Sequence, residues 1–227
     1  AWDGLTKQLG SNDAALRGLV QTGLLIERDS KNGFYDRFRH RVMFPIRDAR
    51  GRTIGFGGRI IDQGEPKYLN SPETELFHKG RELYGLYEAR QATRQLKQLM
   101  VVEGYMDVVS LYQAGITYAV ATLGTATTPE HLKRLFRACN TVVFCFDGDR
   151  AGRAAAWKAL EVALPVISEG NFIRFLLLPT EHDPDSLVLA EGREAFEARV
   201  QQATPLSEYL VSCLLYTSDA ADDTPCV

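Results

Sequence analysis

Residues 144–152 have the sequence Phe144-Cys145-Phe146-Asp147-Gly148-Asp149-Arg150-Ala151-Gly152. An apolar run precedes Asp147 and a helical pattern follows Gly152, so two carboxylates lie where a buried strand ends and a helix begins. In an open parallel sheet, ligands bind at this position. Two like charges held close together repel each other, and a bound cation removes the repulsion. The stretch therefore predicts an acidic ligand site at the end of a strand.

The sequence on both sides of this stretch alternates between strand and helix patterns from Leu99 onward. Such alternation predicts an α/β fold with a parallel sheet flanked by helices. Strands are predicted at Leu99–Val102, Thr117–Thr122, Thr141–Phe146 and Phe172–Leu178, and helices at Met106–Gln113, Pro129–Ala138, Arg150–Leu164 and Pro184–Glu191.

Acidic residues follow three of these four strands. Right-handed crossovers place the carboxyl ends of parallel strands at one edge of the sheet, so these side chains are expected to lie near one another. The residues are Glu103, Asp107, Asp147, Asp149, Asp183 and Asp185. Their mutual repulsion would destabilise the edge without a counter-ion, and carboxylate oxygens suit Mg²⁺. We therefore predict a metal site there.

The first part of the chain predicts a smaller α+β subdomain. A hairpin is expected from Val42–Arg47 and Thr53–Ile61, followed by a loop at Pro66–Thr74 and a helix over residues 84–97. Its second strand contains three glycines, which predict close approach of another backbone or a ligand. Before the hairpin, Arg37 and Arg39 lie among aromatic residues. That pattern is typical of phosphate contact with stacking, and equally of a solvated face with aromatic anchors.

Composition limits the classes of protein to consider. The chain has 227 residues, of which 45% are hydrophobic and 24% charged, as in ordinary soluble globular proteins. No apolar run approaches the roughly 20 residues that span a bilayer. The four cysteines have neither metal-ligand spacing nor a disulfide framework. We expect a cytoplasmic protein with no membrane partner.

Charge is divided unevenly along the chain. Residues 1–97 carry 17 Lys and Arg against 12 Asp and Glu, whereas residues 98–212 carry nine against 14. A basic part beside an acidic part fits an anionic polymer on one and metal ions on the other. Ordinary surface charge is the alternative explanation.

Two motifs together resemble the Toprim domain, which bacterial primases, topoisomerases and certain nucleases share. They are Val101–Val108, containing Glu103-Gly104-Tyr105-Met106-Asp107, and residues 146–152. The stretches that narrow the resemblance to the RNA polymerase domain of bacterial replicative primases of the DnaG type are Arg37–Arg39, Val42–Ile46, Gly55–Arg59, Pro66–Thr74, Phe77–Gly80, His182–Leu187 and Glu191–Arg199. This resemblance covers residues 1–212.

The primase resemblance implies a role for each candidate residue. Glu103, Asp147 and Asp149 correspond to the catalytic and metal-binding carboxylates, and Asp107, Asp183 and Asp185 complete the acidic cluster. Whether Glu103 is a metal ligand or a general base stays open. The residues implied to bind nucleotide phosphates and nucleic acid are Arg37, Arg39, Arg59, Lys67 and Lys79.

The activity implied is template-directed synthesis of short RNA primers by nucleotidyl transfer, with Mg²⁺ or alternatively Mn²⁺ as cofactor. The implied partners are a single-stranded DNA template, ribonucleoside triphosphates and the RNA–DNA hybrid. Zinc and the replicative helicase are implied to bind domains that we expect this chain to lack. The alternatives are a Toprim-type nuclease, a topoisomerase metal domain and a non-catalytic nucleic-acid-binding Toprim module.

We expect four segments along the chain. The last resembles the translation of a sequencing adapter, and we expect it to be a non-native tail in which the preceding helical pattern stops. The native chain is then expected to begin before Ala1 and to continue past Ser212. The segments are 1–97 (α+β part of the catalytic core), 98–192 (Toprim subdomain), 193–212 (start of a helical subdomain) and 213–227 (tail).

Overall fold

A computed structural model describes residues 2–28 and 33–219 of the chain. The chain divides between His78 and Lys79 into two compact units, which are described separately below. None of the described helices is long and apolar enough to cross a membrane. The four segments expected from the sequence stay a prediction.

The first unit opens with two helices and a two-stranded antiparallel sheet. The side chain of Asn12 caps the second helix by accepting a hydrogen bond from the Ala15 N–H at 2.9 Å. The elements are α1 (Gly4–Leu9), α2 (Asp13–Gln21), β1 (Leu25–Glu27) and β2 (Phe34–Asp36).

A three-stranded antiparallel sheet follows, made of β3 (Arg41–Arg47), β4 (Thr53–Ile60) and β5 (Tyr68–Asn70). The predicted hairpin is confirmed, but the loop predicted at Pro66–Thr74 is wrong over Tyr68–Asn70, which pairs with β4. A three-residue strand carries too little periodicity to show in the sequence.

The glycines of β4 accommodate side chains of the same unit. A Cβ on Gly55 would lie 3.1 Å from the Phe77 ring, and one on Gly58 would lie 2.9 Å from Phe38 and 3.0 Å from Arg41. The expected close approach is therefore present at these two positions, with side chains as the neighbours.

The second unit is built on a five-stranded sheet in the order β10-β9-β8-β6-β7, in which the first four strands along the chain run parallel. This arrangement confirms the predicted α/β fold with a parallel sheet flanked by helices. The elements are α3 (Leu86–Ala92), β6 (Leu99–Val102), α4 (Tyr105–Gln113), β7 (Ala119–Ala121), α5 (Pro129–Phe136), β8 (Thr141–Phe146), α6 (Arg150–Ala163), β9 (Phe172–Leu177), α7 (Pro184–Gln201), β10 (Thr204–Pro205) and α8 (Leu206–Asp219).

Helices cover both faces of this sheet. Alternate residues of a strand point to opposite faces, so Phe144 packs in one core with α3, α5, α6 and α8, and Cys145 packs in the other with α4 and α7. Both β6 and β8 are buried on both faces, which explains their uninterrupted apolar runs. The sheet is thereby a rigid base for the residues that follow each strand.

Several predicted boundaries are wrong. The helix predicted over residues 84–97 is confined to α3, and α7 continues past Glu191 to Gln201 through a kink at Gly192. The expectation that the helical pattern stops at residue 213 is wrong, because α8 continues to Asp219 and buries Cys213. The rest of the expected tail, residues 220–227, lies outside the described residues.

Candidate active site

The turn between β8 and α6 holds Asp147 and Asp149 in a tightly packed backbone. A Cβ on Gly148 would lie 1.8 Å from the Leu178 carbonyl oxygen, and one on Gly152 would lie 2.1 Å from the Asp147 carbonyl oxygen. Only glycine fits either position, because the obstructing atoms are backbone. Asp149 caps α6 by accepting a hydrogen bond from the Gly152 N–H at 2.7 Å. Asp147 is half-buried and Asp149 is exposed.

Glu103 and Asp107 flank the turn between β6 and α4. Glu103 directly follows the strand and is exposed, while Asp107 lies in the first turn of the helix. The Asp107 carboxylate accepts a hydrogen bond from the Gly104 N–H at 2.9 Å, which caps the helix. The capping bond fixes the direction of this carboxylate relative to the end of the strand.

Asp183 and Asp185 follow β9, at the start of α7. The Asp183 side chain accepts a hydrogen bond from the Ser186 N–H at 2.8 Å, so Asp183 caps α7 ahead of the helical Pro184. Hydrogen bonding to Ser186 lowers the pKa of Asp183 below its usual value and keeps it ionised. Each of the three strand-to-helix turns that carry these acids thus uses one carboxylate as a helix cap.

The acidic residues at this edge act on one another electrostatically. Partial desolvation raises the pKa of Glu103, although its side chain keeps contact with solvent, and the charges of Asp147 and Asp149 raise it further. The pKa of Asp147 is raised by desolvation and by the charges of Asp183 and Asp149. The edge expected from the topology is therefore present: residues that follow three different strands lie within electrostatic reach.

Asp107 is the most perturbed of these acids. Desolvation raises its pKa to about 7, and the charges of Asp183, Asp147 and Asp185 add to the increase, against the stabilising hydrogen bond from Gly104. A carboxylic acid in such surroundings favours either a proton or a cation close by.

No three His, Cys, Asp or Glu side chains are arranged as a complete metal site within residues 2–28 and 33–219. Mg²⁺ usually keeps several waters and binds through one or two carboxylates together with substrate phosphates. The all-oxygen donors and the unrelieved negative charge of this edge fit such an ion. The assignment of the six acids as metal ligands stays a prediction.

A groove of about 500 Å³ opens beside Glu103, between α6 and the loop that follows β7. Its floor includes Val102 and Phe146, and threonines of the loop line its rim. Lys158 brings a cation to the same groove from an exposed position on α6. The groove therefore offers apolar surface, hydroxyl groups and one positive charge next to the carboxylate edge.

In the first unit, Arg37 and Arg39 line a separate cavity of about 470 Å³ together with Arg41. The Arg39 guanidinium lies 4.4 Å from the centre of the Trp2 ring and 5.1 Å from that of Tyr35. The Arg37 Nε atom is buried and has no hydrogen-bond partner among the described residues. The cavity wall thus combines the cations with the Tyr35 ring, which is compatible with both sequence interpretations.

Arg59 and Lys67 meet at a single aromatic ring in the same unit. Their charged groups lie 5.6 Å and 5.9 Å from the centre of the Tyr68 ring. Arg41 fixes the segment that carries Lys67, because its guanidinium donates to the carbonyl oxygens of Pro66 at 2.8 Å and Lys67 at 3.4 Å. The structure therefore brings Arg59 and Lys67 together. Lys79 belongs to the second unit.

The matches to protein families account for most of the chain. Residues 1–90 match the N-terminal domain of the DNA primase catalytic core, and residues 100–188 match the Toprim-like family. The crystal structure of a DNA primase domain from Pseudomonas aeruginosa is 58% identical and has a TM-score of 0.93, covering 99% of this chain and 70% of that one. This chain belongs to the DNA primase family.

Other DNA primases are similarly close to this chain in sequence and structure. DNA primase of Pseudomonas aeruginosa is 60% identical over 97% of this chain, and that of Escherichia coli K12 is 58% identical over 94%. A structure described as the DnaG primase catalytic domain bound to ssDNA has a TM-score of 0.91 at 56% identity, covering 98% of this chain and 72% of that one. The chain spans 33% and 37% of the length of the two curated relatives, about a third of each.

The family predicted from the Toprim and upstream motifs is thereby confirmed, and the chain matches about 70% of the solved DNA primase domain from Pseudomonas aeruginosa. Sequence reasoning missed Lys158, although Ala151, Ala154, Ala155 and Lys158 are spaced for one helix face and all line the groove. It also missed the role of Arg41. That role depends on carbonyl groups 25 and 26 residues away, for which the sequence carries no local signal.

Proposed function

We propose that this chain catalyses the synthesis of short RNA primers for DNA replication on a single-stranded DNA template. Ribonucleoside triphosphates are the substrates, and the reaction is metal-dependent nucleotidyl transfer that leaves a growing RNA–DNA hybrid. The observation that carries the proposal is that Glu103, Asp147 and Asp149 follow two neighbouring strands at the carboxyl edge of a primase sheet, where the charges of both aspartates raise the pKa of Glu103.

The metal is proposed to be Mg²⁺, with Mn²⁺ as a substitute. When bound, the ion would lower the pKa of the attacking 3′-hydroxyl and neutralise charge on the attacking and leaving oxygens. Glu103, Asp147 and Asp149 would hold it, and Asp107, Asp183 and Asp185 would add negative charge around it. Asp107, Asp149 and Asp183 each accept a helix-capping hydrogen bond from a backbone N–H through one carboxylate oxygen. These bonds fix the direction of the three carboxylates.

The basic residues would bind phosphates. Arg37 and Arg39 would contact the template backbone while Trp2 and Tyr35 stack on bases, since a positive wall with aromatic rings suits single-stranded nucleic acid. Arg59, Lys67 and Lys79 would neutralise nucleotide triphosphates and position them for attack. Lys158 would add a phosphate contact within the groove beside Glu103.

The family resemblance implies a zinc-binding domain and a segment that contacts the replicative helicase. We propose that both act together with this core in the cytoplasm. The nuclease, topoisomerase and non-catalytic alternatives are disfavoured by the match of residues 1–90 to the primase core, which a Toprim domain alone does not require.

The carboxylate proposal is tested with Asp147→Asn in a full-length primase that contains this core. Removing one preorganised electrostatic group at a reaction centre costs roughly 100- to 1000-fold in rate, so RNA synthesis on single-stranded DNA with Mg²⁺ should fall by that factor. Asp13→Asn, at an exposed acid of the first unit, is the matched control. Synthesis at the parent rate by Asp147→Asn would contradict the assignment, and Mg²⁺-dependent DNA cleavage without synthesis would favour the nuclease.

The phosphate role of Lys67 is tested by its replacement with alanine. Loss of one phosphate contact should weaken single-stranded DNA or nucleotide binding and reduce the slope of log affinity against log salt by roughly one contact's share, about 0.7. Lys7→Ala is the control, because exposed Lys7 already pairs with Asp3. Equal salt dependence of both variants and the parent would assign Lys67 to the scaffold.

A further inference from the structure

The segment Lys79–Glu82 is fastened to the start of α5. His131 Nε2 donates a hydrogen bond to the Lys79 carbonyl oxygen at 2.9 Å, and the Thr128 hydroxyl donates to the Gly80 carbonyl oxygen at 2.6 Å. These bonds join residues 48 and 52 positions apart in the sequence. The backbone that carries Lys79 is therefore held by side chains of one helix end.

The imidazole of His131 has a single tautomer in this arrangement. Its Nδ1 accepts a hydrogen bond from the Thr128 N–H at 3.2 Å, so the ring proton lies on Nε2 and is directed at Lys79. The His131 N–H in turn donates to the Thr128 hydroxyl oxygen at 3.1 Å. The ring is 0% exposed, so water cannot replace a lost partner without rearrangement.

Arg134 adds a third attachment one turn further along α5. Its guanidinium forms two parallel hydrogen bonds to the Glu82 carboxylate, at 2.7 Å and 2.8 Å. Glu82 is only 7% exposed, and such bidentate pairs are geometrically specific. Thr128, His131 and Arg134, spaced three residues apart, thus fix both ends of the Lys79–Glu82 segment.

The fastened segment lies at the carboxylate edge of the sheet. Tyr84 pairs with Ala121 in an antiparallel bridge, through N–H to carbonyl bonds of 2.9 Å and 3.0 Å. Because Ala121 is the last residue of β7, residues that precede Tyr84 continue beyond the carboxyl end of that strand. The neighbouring strand is β6, after which Glu103 follows.

We propose that His131, together with Thr128 and Arg134, is a positioning residue that fixes the Lys79 backbone beside the carboxylate edge. This proposal rests on the proposed function, in which Lys79 contacts substrate phosphate. A lysine side chain is a long, flexible point charge, so the position of its backbone decides where its ammonium group can act. His131 itself is buried and contacts no substrate, which separates its role from catalysis.

The test compares His131→Leu, His131→Gln, Lys79→Ala and the double variant His131→Leu with Lys79→Ala in a full-length primase that contains this core. Misplacement of a positioned group by about 1 Å can cost up to roughly 100-fold, so His131→Leu should raise the KM for ribonucleotides between roughly tenfold and 100-fold in extension of an annealed primer. His131→Gln keeps a side-chain donor and should recover part of the loss. In the Lys79→Ala background, His131→Leu should change KM no further.

A second pair of variants, at Thr128, tests the proposal even if a His131 variant fails to fold. Thr128→Val removes the hydroxyl that holds Gly80, whereas Thr128→Ser retains it, so KM should rise in the first variant and stay within about twofold of the parent in the second. An equal effect of His131→Leu with and without Lys79 would overturn the proposal, and so would a parent-like KM in both His131→Leu and Thr128→Val. Absence of primer synthesis by the parent primase would instead refute the proposed function.

Discussion

At the scale of single residues, the acids at the sheet edge differ in what surrounds them. Asp183 is exposed and hydrogen-bonded, which lowers its pKa, whereas Asp107 is desolvated among like charges, which raises its pKa to about 7. Two aspartates that both cap helices are therefore expected to affect stability in opposite directions as the pH changes.

The parent protein is expected to lose stability as Asp107 ionises near neutral pH when metal is chelated. We predict that the Asp107→Asn variant does not show this loss. The folded protein binds the Asp107 proton more tightly than the unfolded chain, so its stabilisation is complete below about pH 4 and is lost as the pH rises to about 7. Asparagine cannot ionise and keeps an acceptor for the Gly104 N–H. Urea unfolding between pH 4 and pH 8 with EDTA should show a smaller decline for the variant than for the parent.

Asp183→Asn is the control for the sign of this effect. The depressed pKa of Asp183 stabilises the fold above the unfolded pKa and loses that effect as the pH falls. This variant should therefore lose stability at neutral pH, where Asp107→Asn gains it. The same pH dependence in both variants would show that the environments of the two acids do not differ as described.

At the scale of elements, backbone packing rather than charge decides which residues fit at positions 148 and 152 in the turn between β8 and α6. The Leu178 carbonyl lies where a side chain at position 148 would begin, and the Asp147 carbonyl does the same for position 152. Sequence patterning predicts a turn here, but it does not show that the end of the neighbouring strand closes over the glycine.

We predict that Gly148→Ala destabilises the fold by about 3 kcal/mol, because the overlap is with backbone that cannot rotate away. Gly18→Ala is the matched control, since a Cβ there meets nothing within 4 Å and Gly18 lies inside α2. That change should stabilise the protein by about 0.5–1 kcal/mol. Urea unfolding of both variants measures the difference, and a neutral Gly148→Ala would show that the turn can open.

The last described helix gives a second prediction at this scale. Cys213 is 2% exposed and shares a core with Tyr209, so ending the chain after Ser212 removes a packed residue and shortens α8. We expect Tm to fall by about 2–4 °C, whereas a chain that ends after Asp219 keeps α8 and should melt like the parent. Equal melting of the two truncated chains would show that residues 213–219 add nothing to stability.

At the scale of the whole molecule, the chain holds the acidic edge and part of a basic surface within about a third of the length of its curated relatives. In the proposed function, metal binding needs only the edge. Joining two free nucleotides on a template requires three partners to be held together, and lost positioning costs several kcal/mol of barrier.

We predict that the 227-residue polypeptide binds Mn²⁺ and extends an annealed RNA primer more readily than it starts one. The paired measurement is de novo dinucleotide formation against primer extension, both with Mn²⁺ on the same template. Robust de novo synthesis would show that this core alone positions all three partners. Calorimetry on the same polypeptide without any heat of Mn²⁺ binding would contradict the carboxylate site.

The sequence by itself determined the family, the α/β class and which acids follow which strand, because the periods of 2 and 3.6 and the residues at strand ends are local features. Its boundary errors occur where an element is very short, as at Tyr68–Asn70, or where tertiary packing extends a helix, as at Cys213.

Only the tertiary structure decided how far the pKa of Asp107 is raised and what holds Lys79 in place. Those properties arise from contacts between residues far apart in the chain. The first comes from desolvation and from three charges, in the turn after β8 and at the start of α7, and the second from bonds spanning 48 to 52 residues. Such contacts leave no periodicity in the sequence. The histidine at position 131 therefore has the pattern of a surface or structural residue until its buried imidazole is found bonded to the backbone of Lys79.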